Sequence, residues 1–340
     1  QAKAAFSPVI SIAGAISTEH EGKDAFQEVD QQSLFEPITK KTFTIRQTEL
    51  IPATLKKAFS LALTPRCGPV HLNFPRNILA NVCQFDEIQK HKLKNLSPVR
   101  ENDLIDILKI INKANKPVII AGGGIKNSLS HETVLKISTL LNIPIVSSAG
   151  HGDVIPFNET LYAGQMGPRG NPLASSLVKE ADVILALGTR LGFNSTFYSY
   201  DHINEEAKII QVDIDKISLG RYFPITIGIC NDVKDLAEKL LIKIKKESIP
   251  SSFKSWTENF LENKKNYLEK RELEADLRTK PIQPSGLFKI LRENLPKNSA
   301  ITLDAGTLCL QATDMLNFSK PKSFFTPLDF GLVGFSFACG

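Results

Sequence analysis

Short apolar runs alternate along the chain with longer stretches whose apolar residues recur three and four positions apart, so the two periods predict strands and helices in turn. Residues 9–12 predict a strand entering a glycine turn, residues 51–62 a helix with Leu55, Ala58 and Phe59 on one face, and residues 70–74 a strand closed by Pro75. Periodicity is lost over residues 79–99, near whose end Pro98 stands, and this predicts a linker. The rhythm then returns more regularly. Residues 103–114 predict a helix, with Leu104, Ile107, Leu108 and Ile111 at helical spacing, and residues 117–121 a buried strand. Helices are predicted at 132–141, 172–179 and 232–246, and strands at 143–147, 182–187 and 208–213. Such alternation predicts a parallel sheet covered on both faces by helices. Residues 247–280 are polar and charged, with Trp256 the single tryptophan, and predict a long connecting helix and linker. Beyond it, residues 284–295 predict a helix and residues 300–303 a strand before Asp304-Ala305-Gly306. The pattern predicts one complete α/β domain with an incomplete one on each side.

Composition narrows the class. A length of 340 residues fits two domains or a little more, and 42% hydrophobic with 23% charged residues fits a water-soluble globular chain. No apolar run approaches the roughly 20 residues that a membrane span needs. The net charge of +5 is mild, and part of the basic excess lies over residues 234–278, interleaved with Glu. That is the mark of a solvated helix face and not of a nucleic-acid surface, since no basic stripe with interleaved aromatics appears. The five cysteines form no CxxC pair and are odd in number, which predicts free thiols and a cytoplasmic location. No signal-peptide pattern opens the chain. The start at Gln1 and the end at Gly340, inside a Gly- and Phe-rich run, are read as cuts in a longer protein.

Candidate chemistry gathers at strand ends. Gly122-Gly123-Gly124 follows a strand and precedes a helix, where free N–H groups suit a phosphate. The dinucleotide fingerprint fails, because Asn127 stands at its third glycine, so a cofactor contact and a ligand-free tight turn both remain open. Gly188-Thr189-Arg190 follows another strand, and Arg190 is placed to grip a phosphate or simply to lie on the surface. Asp213 and Asp215 close a third strand, to hold a ribose hydroxyl or to cap the next helix. His20, His71, His91, His131, His151 and His202 show no zinc-ligand spacing, although His151 lies in a glycine-rich loop after a strand. No nucleophile elbow or kinase signature is present, and no self-contained catalytic group stands out.

Several segments, taken together and in order, resemble the acetolactate synthase branch of thiamine-diphosphate-dependent enzymes. They are Gly22-Lys23-Asp24-Ala25-Phe26-Gln27-Glu28-Val29-Asp30, Gly68-Pro69-Val70-His71-Leu72-Asn73-Phe74-Pro75-Arg76-Asn77, Lys116-Pro117 through Gly124, Gly188-Thr189-Arg190, Asp304-Ala305-Gly306, and Phe330-Gly331-Leu332-Val333-Gly334-Phe335. Each is weak alone; their joint order is specific. The resemblance implies a three-domain α/β architecture of parallel sheets flanked by helices, with the central domain complete and the outer two truncated. Residues 1–93 would be the C-terminal part of the pyrimidine-binding domain, 100–246 the central Rossmann-like domain, 247–282 a linker, and 283–340 the N-terminal part of the diphosphate-binding domain.

The resemblance also implies a chemistry: decarboxylation of a 2-oxo acid such as pyruvate and transfer of its two-carbon unit. The cofactor, thiamine diphosphate held with Mg²⁺, supplies a nucleophilic carbon, and the protein supplies orientation and electrostatics. By resemblance, Val333 wedges the bent cofactor, although it is smaller than the Met or Ile usual there. The Gly331 carbonyl accepts a hydrogen bond from the aminopyrimidine, with Leu332 beside it. Gly306 and Thr307 lie against the diphosphate. Phe26 and Gln27 face the reacting carbon from a neighbouring subunit, which implies a homodimer or homotetramer. The family's proton-relay glutamate is expected before Gln1 and its Mg²⁺ ligands after Gly340, so the chain as given is expected to be inactive alone. A non-catalytic cofactor-binding relative is the other reading of those two gaps.

FAD is left open. Acetolactate synthases hold one near the positions of Gly123, Gly124 and Arg190, but the loop here, Leu191-Gly192-Phe193-Asn194, lacks their acidic residues and second Arg. Ala186-Leu187-Gly188-Thr189-Arg190-Leu191-Gly192, Lys208-Ile209-Ile210-Gln211-Val212-Asp213, Gly228-Ile229-Cys230 and Lys320-Pro321-Lys322-Ser323-Phe324-Phe325 resemble sulfoacetaldehyde acetyltransferase more closely. A sulfonate substrate needs a cationic pocket, so an Arg or Lys beside Gln27 or Val333 would favour that alternative.

Overall fold

A computed structural model of the protein describes residues 1–85, 97–247, 253–275 and 277–339. The chain forms two compact units, residues 1–95 and 96–340. Of the linker expected over residues 79–99, residues 86–96 lie outside the described residues, His91 among them, as do 248–252 and 276 of the second linker and Gly340.

The first unit is built on a three-stranded parallel sheet. Its strands are β1 (Ile10–Ala15), β2 (Lys41–Thr44) and β3 (Val70–Pro75), in the order β1-β3-β2. β3 lies in the middle and is buried along its whole length. The helix Ile51–Leu63 packs through Ala58 and Ala62, whose small side chains let it lie close to the sheet. Phe59, expected on the same face, is 49% exposed, because one residue on is about 100° round the helix from Ala58. Residues Arg76–Ala80 form one further helical turn, so the irregular stretch begins later than the sequence implied.

The second unit carries a six-stranded all-parallel sheet. Its strands are β4 (Pro117–Ala121), β5 (Ile145–Ser147), β6 (Tyr162–Gln165), β7 (Val183–Leu187), β8 (Lys208–Asp213) and β9 (Ile227–Cys230), in the order β6-β5-β4-β7-β8-β9. The chain starts at β4, builds outward through β5 and β6, then returns to β7 and builds the other half. The reversal between β4 and β7 opens a crevice at their carboxyl ends, the usual ligand position of such sheets. β4, β5 and β7 are buried throughout, as strands covered on both faces must be. The helix Glu101–Ile111 buries Leu104, Ile107, Leu108 and Ile111, the four residues its spacing singled out. The edge strands β6 and β9 carry little strand signal in the sequence, since both are short and contain glycine.

The helix Lys254–Glu274 is not a free connector. Phe253, Trp256 and Phe260 are buried in the same core as the large sheet, and the Trp256 indole donates to the Pro117 carbonyl at 3.1 Å. Those anchors all sit at its start, and the charged remainder masks their periodicity. After it come the helix Pro284–Asn294, β10 (Ile301–Thr302), the helix Thr307–Met315 and β11 (Phe324–Phe325), with β10 and β11 paired in parallel. This part has a small core of its own around Phe288, Leu316, Phe318 and Phe324.

It is tied to the central sheet by buried polar contacts. Asp153, fully buried, accepts from the Ser323 and Phe324 amides at 3.0 and 3.1 Å and from Lys126 at 2.8 Å, while Lys126 also donates to the Phe324 carbonyl at 3.0 Å. Asp314 receives Asn171 Nδ2 at 2.7 Å and the Tyr267 hydroxyl at 2.5 Å. No described helix is long and apolar enough to cross a membrane.

Candidate functional site

Two glycine loops lie side by side in the second unit. One is 304–307, between β10 and the helix Thr307–Met315; the other is 331–334, after β11. The Ala305 amide donates to the Leu332 carbonyl at 3.4 Å. Asp304 fixes the pair, its carboxylate accepting from the Gly334 and Ser336 amides at 2.9 and 2.6 Å. Those amides hold the Asp304 carboxyl below the usual range, that of Ser336 contributing most. A Cβ placed on Gly306 or Gly331 would meet nothing within 4 Å among the described residues, so main chain borders open space here. Gly306 precedes the helix with φ +149°, and among the described residues no side chain caps the first-turn N–H groups that begin at Thr307. Val333 is 79% exposed, an unusual setting for an apolar residue, and Leu332 and Phe330 stand near it in sequence, also exposed.

An open main-chain cradle at a helix N-terminus with a projecting apolar side chain fits a diphosphate-bearing cofactor with an apolar ring. Gly306, Thr307, Gly331, Leu332 and Val333 are thus brought together. Among the described residues, no three His, Cys, Asp or Glu side chains gather to hold a metal ion.

Phe26 and Gln27 belong to the first unit. The turn before them is stapled by Glu28, whose carboxylate accepts from the Gly22 and Ala25 amides at 2.5 and 3.0 Å. These bonds, with that to Gly22 the largest influence, hold the Glu28 carboxyl below its usual range. Gln27 adopts φ +65°, rare for a residue with a side chain, and Phe26 is 88% exposed. A loop so fixed presents both side chains outward. Gln27 also lines a cavity of about 270 Å³ with Glu21, Glu28, Asp30, Arg46 and Asn73. Arg46 is the cation sought beside Gln27, and it is paired with Glu21 at 2.7 Å.

The crevice between β4 and β7 is filled differently from a dinucleotide site. Gly122 donates to the Leu187 carbonyl and Gly124 to the Gly188 carbonyl, both at 2.9 Å. A Cβ on Gly123 would lie 2.8 Å from Cε1 and Nε2 of His151, whose ring therefore covers that turn. The helix after the turn, Gly123–Ser128, has under two turns and little dipole to offer an anion. Arg190 pairs with Asp329 at 3.1 Å. Asp213 accepts from the Asp215 amide at 2.9 Å, and Asp215 caps the next turn through Ile217 at 3.1 Å, the capping geometry that was one of their two readings. Residues that a flavin dinucleotide would use are engaged within the protein, so the crevice as built does not fit FAD.

His151 is the residue whose setting the sequence hinted at least. Its Nδ1 is shut away from solvent with no hydrogen-bond partner among the described residues. Burial foremost, then the nearby Lys126 and Arg190 charges, push its pKa down to about 4 against the opposing pull of Asp329 and Asp153. The unfolded chain, with an ordinary value near 6.5, takes up the proton first on acidification. Stability is therefore lost as pH falls from about 6.5 to about 4 and levels off below. Urea unfolding at both ends of that window should show a larger loss for the wild type than for His151→Gln; equal losses would contradict a neutral, enclosed ring.

Residues 104–240 match the model of the thiamine pyrophosphate enzyme central domain. The chain is 32% identical, over 97% of its length, to a probable acetolactate synthase large subunit of Methanocaldococcus jannaschii, covering 57% of that protein. It is 30% identical over 96% to the acetolactate synthase large subunit of Buchnera aphidicola subsp. Schizaphis graminum, again covering 57%. It is 28% identical over 98% to the sulfoacetaldehyde acetyltransferase of Castellaniella defragrans, covering 58%. The chain thus spans a little over half the length of the curated relatives it matches.

Proposed function

We propose that the protein, whose residues 104–240 match the thiamine pyrophosphate enzyme central domain, decarboxylates a 2-oxo acid such as pyruvate and transfers the two-carbon unit to an acceptor, as an acetolactate synthase-like transferase. The observation that carries this is the open cradle between the loops 304–307 and 331–334, locked by Asp304. When bound there, thiamine diphosphate supplies the nucleophilic carbon, with Mg²⁺ as the counter-ion of its diphosphate.

The chain's own residues supply the rest. The amides following Gly306 and Thr307 meet the diphosphate at the start of a helix. The Gly331 carbonyl, beside Leu332, accepts from the aminopyrimidine, and Val333 presses on the ring as a wedge. Phe26 and Gln27, on their stapled turn, reach the reacting carbon of a neighbouring subunit. The pieces correspond to part of a pyrimidine-binding domain over residues 1–93, a central domain over 100–246, a linker over 247–282 and part of a diphosphate-binding domain over 283–340.

A sulfoacetaldehyde acetyltransferase activity is the second reading, favoured by Arg46 in the cavity beside Gln27. The Glu21 partner of Arg46 offsets its charge, which weighs against a sulfonate there. The test is the full-length protein with thiamine diphosphate and Mg²⁺. Loss of pyruvate with release of CO₂ and a hydroxy-keto acid is the expected result. Untouched pyruvate, with acetyl phosphate and sulfite formed from sulfoacetaldehyde and phosphate, would replace it with the second reading.

A further inference from the structure

We propose that Arg190 is a positioning residue for the 331–333 loop, acting through Asp329, and that the crevice between β4 and β7 serves this brace in place of a flavin dinucleotide. The proposal rests on the cofactor seat proposed above.

The Pro327 carbonyl accepts the amides of Phe330 and Gly331 at 3.2 and 2.8 Å, so a closed turn joins Asp329 rigidly to the start of the loop. Two side chains from the segment after β7 grip that turn. Arg190 Nη2 donates to Asp329 Oδ1 at 3.1 Å, and Asn194 Nδ2 donates to the Leu328 carbonyl at 3.1 Å. On the other flank, a Cβ built on Gly150 would lie 3.6 Å from the Leu328 side chain, one residue before the His151 ring. The upstream end is pinned by Asp153 and Lys126 at Phe324. Residues 324–331 are therefore held to the central sheet at both ends, and Gly331 leaves the second anchor with φ +74°. Moving Asp329 would move the Gly331 carbonyl and Val333 with it. Arg190, the cation that would have met a pyrophosphate, is the side chain that makes this brace, so it cannot serve both uses.

The ion pair is partly exposed, 30% and 36% on its two side chains, so its loss should weaken the seat without dismantling it. Thiamine diphosphate is titrated calorimetrically, with Mg²⁺, into full-length wild type, Arg190→Ala, Asp329→Ala and the double variant. Each single variant should raise Kd about fivefold, and the double variant about as much as either alone, because each breaks the same Arg190–Asp329 pair. Arg190→Lys, which keeps a charge but not the planar fork, should recover part of the loss. The urea midpoint should stay close to that of the wild type in all of them, because the pair is partly exposed, which a general loss of folded protein would not give. The purified protein should show no flavin absorbance and release none on denaturation. Unchanged Kd in the single variants, multiplicative loss in the double, or stoichiometric flavin would each overturn the proposal. A wild type that does not bind thiamine diphosphate would overturn the seat itself, an outcome distinguishable because it precedes any comparison of variants.

Discussion

Asp153→Ala should destabilise the protein by about 3–5 kcal/mol, the range found when one member of a buried ion pair is removed. Asp153 has no solvent contact, and its partner Lys126 is 12% exposed. Without the carboxylate, the ammonium keeps the Phe324 carbonyl and the face of the Phe325 ring, and the Ser323 and Phe324 amides lose their acceptor. Three buried donors are thus left short together, each costing about 1–3 kcal/mol if water cannot reach it. Asp153→Asn keeps one oxygen as acceptor and loses the charge, so it should cost less than the alanine. Urea unfolding measures both. A loss below about 1 kcal/mol for Asp153→Ala would mean that water enters the joint and that it contributes little.

Gly188→Ala should be of similar size for a different reason. Gly188 has φ +61°, which costs a residue with a side chain about 1–2 kcal/mol. Its added Cβ would also lie 2.5 Å from Gly124 Cα and 2.9 Å from Gly124 N, main-chain atoms that cannot rotate aside. Relief requires β4 and β7 to part at their carboxyl ends, and overpacking of that kind adds about 1–3 kcal/mol. Gly220→Ala isolates the first effect, because Gly220 has φ +64° but its nearest neighbour would be a flexible Ile225 methyl at 3.5 Å. Gly188→Ala should therefore unfold at clearly lower urea than Gly220→Ala. Equal midpoints would show that the strands separate freely at that point.

Much of the fold is legible because its core strands carry their own signal. Val118 to Ala121 and Val183 to Leu187 are continuous apolar runs, as strands buried on both faces must be, and the Leu104–Ile111 spacing shows its helix directly. Tyr162–Gln165 and Ile227–Cys230 escape the pattern because edge strands need fewer apolar residues and tolerate glycine. The anchoring of the helix Lys254–Glu274 was missed because Trp256 and Phe260 are outnumbered by Lys and Glu over its length.

The candidate site divides in the same way. Gly306 and Gly331 were identified by ordered likeness to a family, and their nearness in space is a tertiary fact that no spacing encodes. The triple glycine 122–124 illustrates the limit. Sequence leaves a phosphate cradle and a tight turn equally open, and only the positions of Gly188 and His151 decide between them. Arg190 reads as a phosphate ligand by its place after β7, while its Asp329 partner lies more than a hundred residues further along.

The seat of thiamine diphosphate between Gly306 and Val333 is tested most directly by amide hydrogen exchange of the full-length protein with and without the cofactor and Mg²⁺. Slower exchange should appear over residues 304–310 and 331–337 on binding, with residues 122–124 and 188–192 unchanged. Protection confined to residues 122–124 and 188–192, or none at either pair of loops, would contradict the proposed seat.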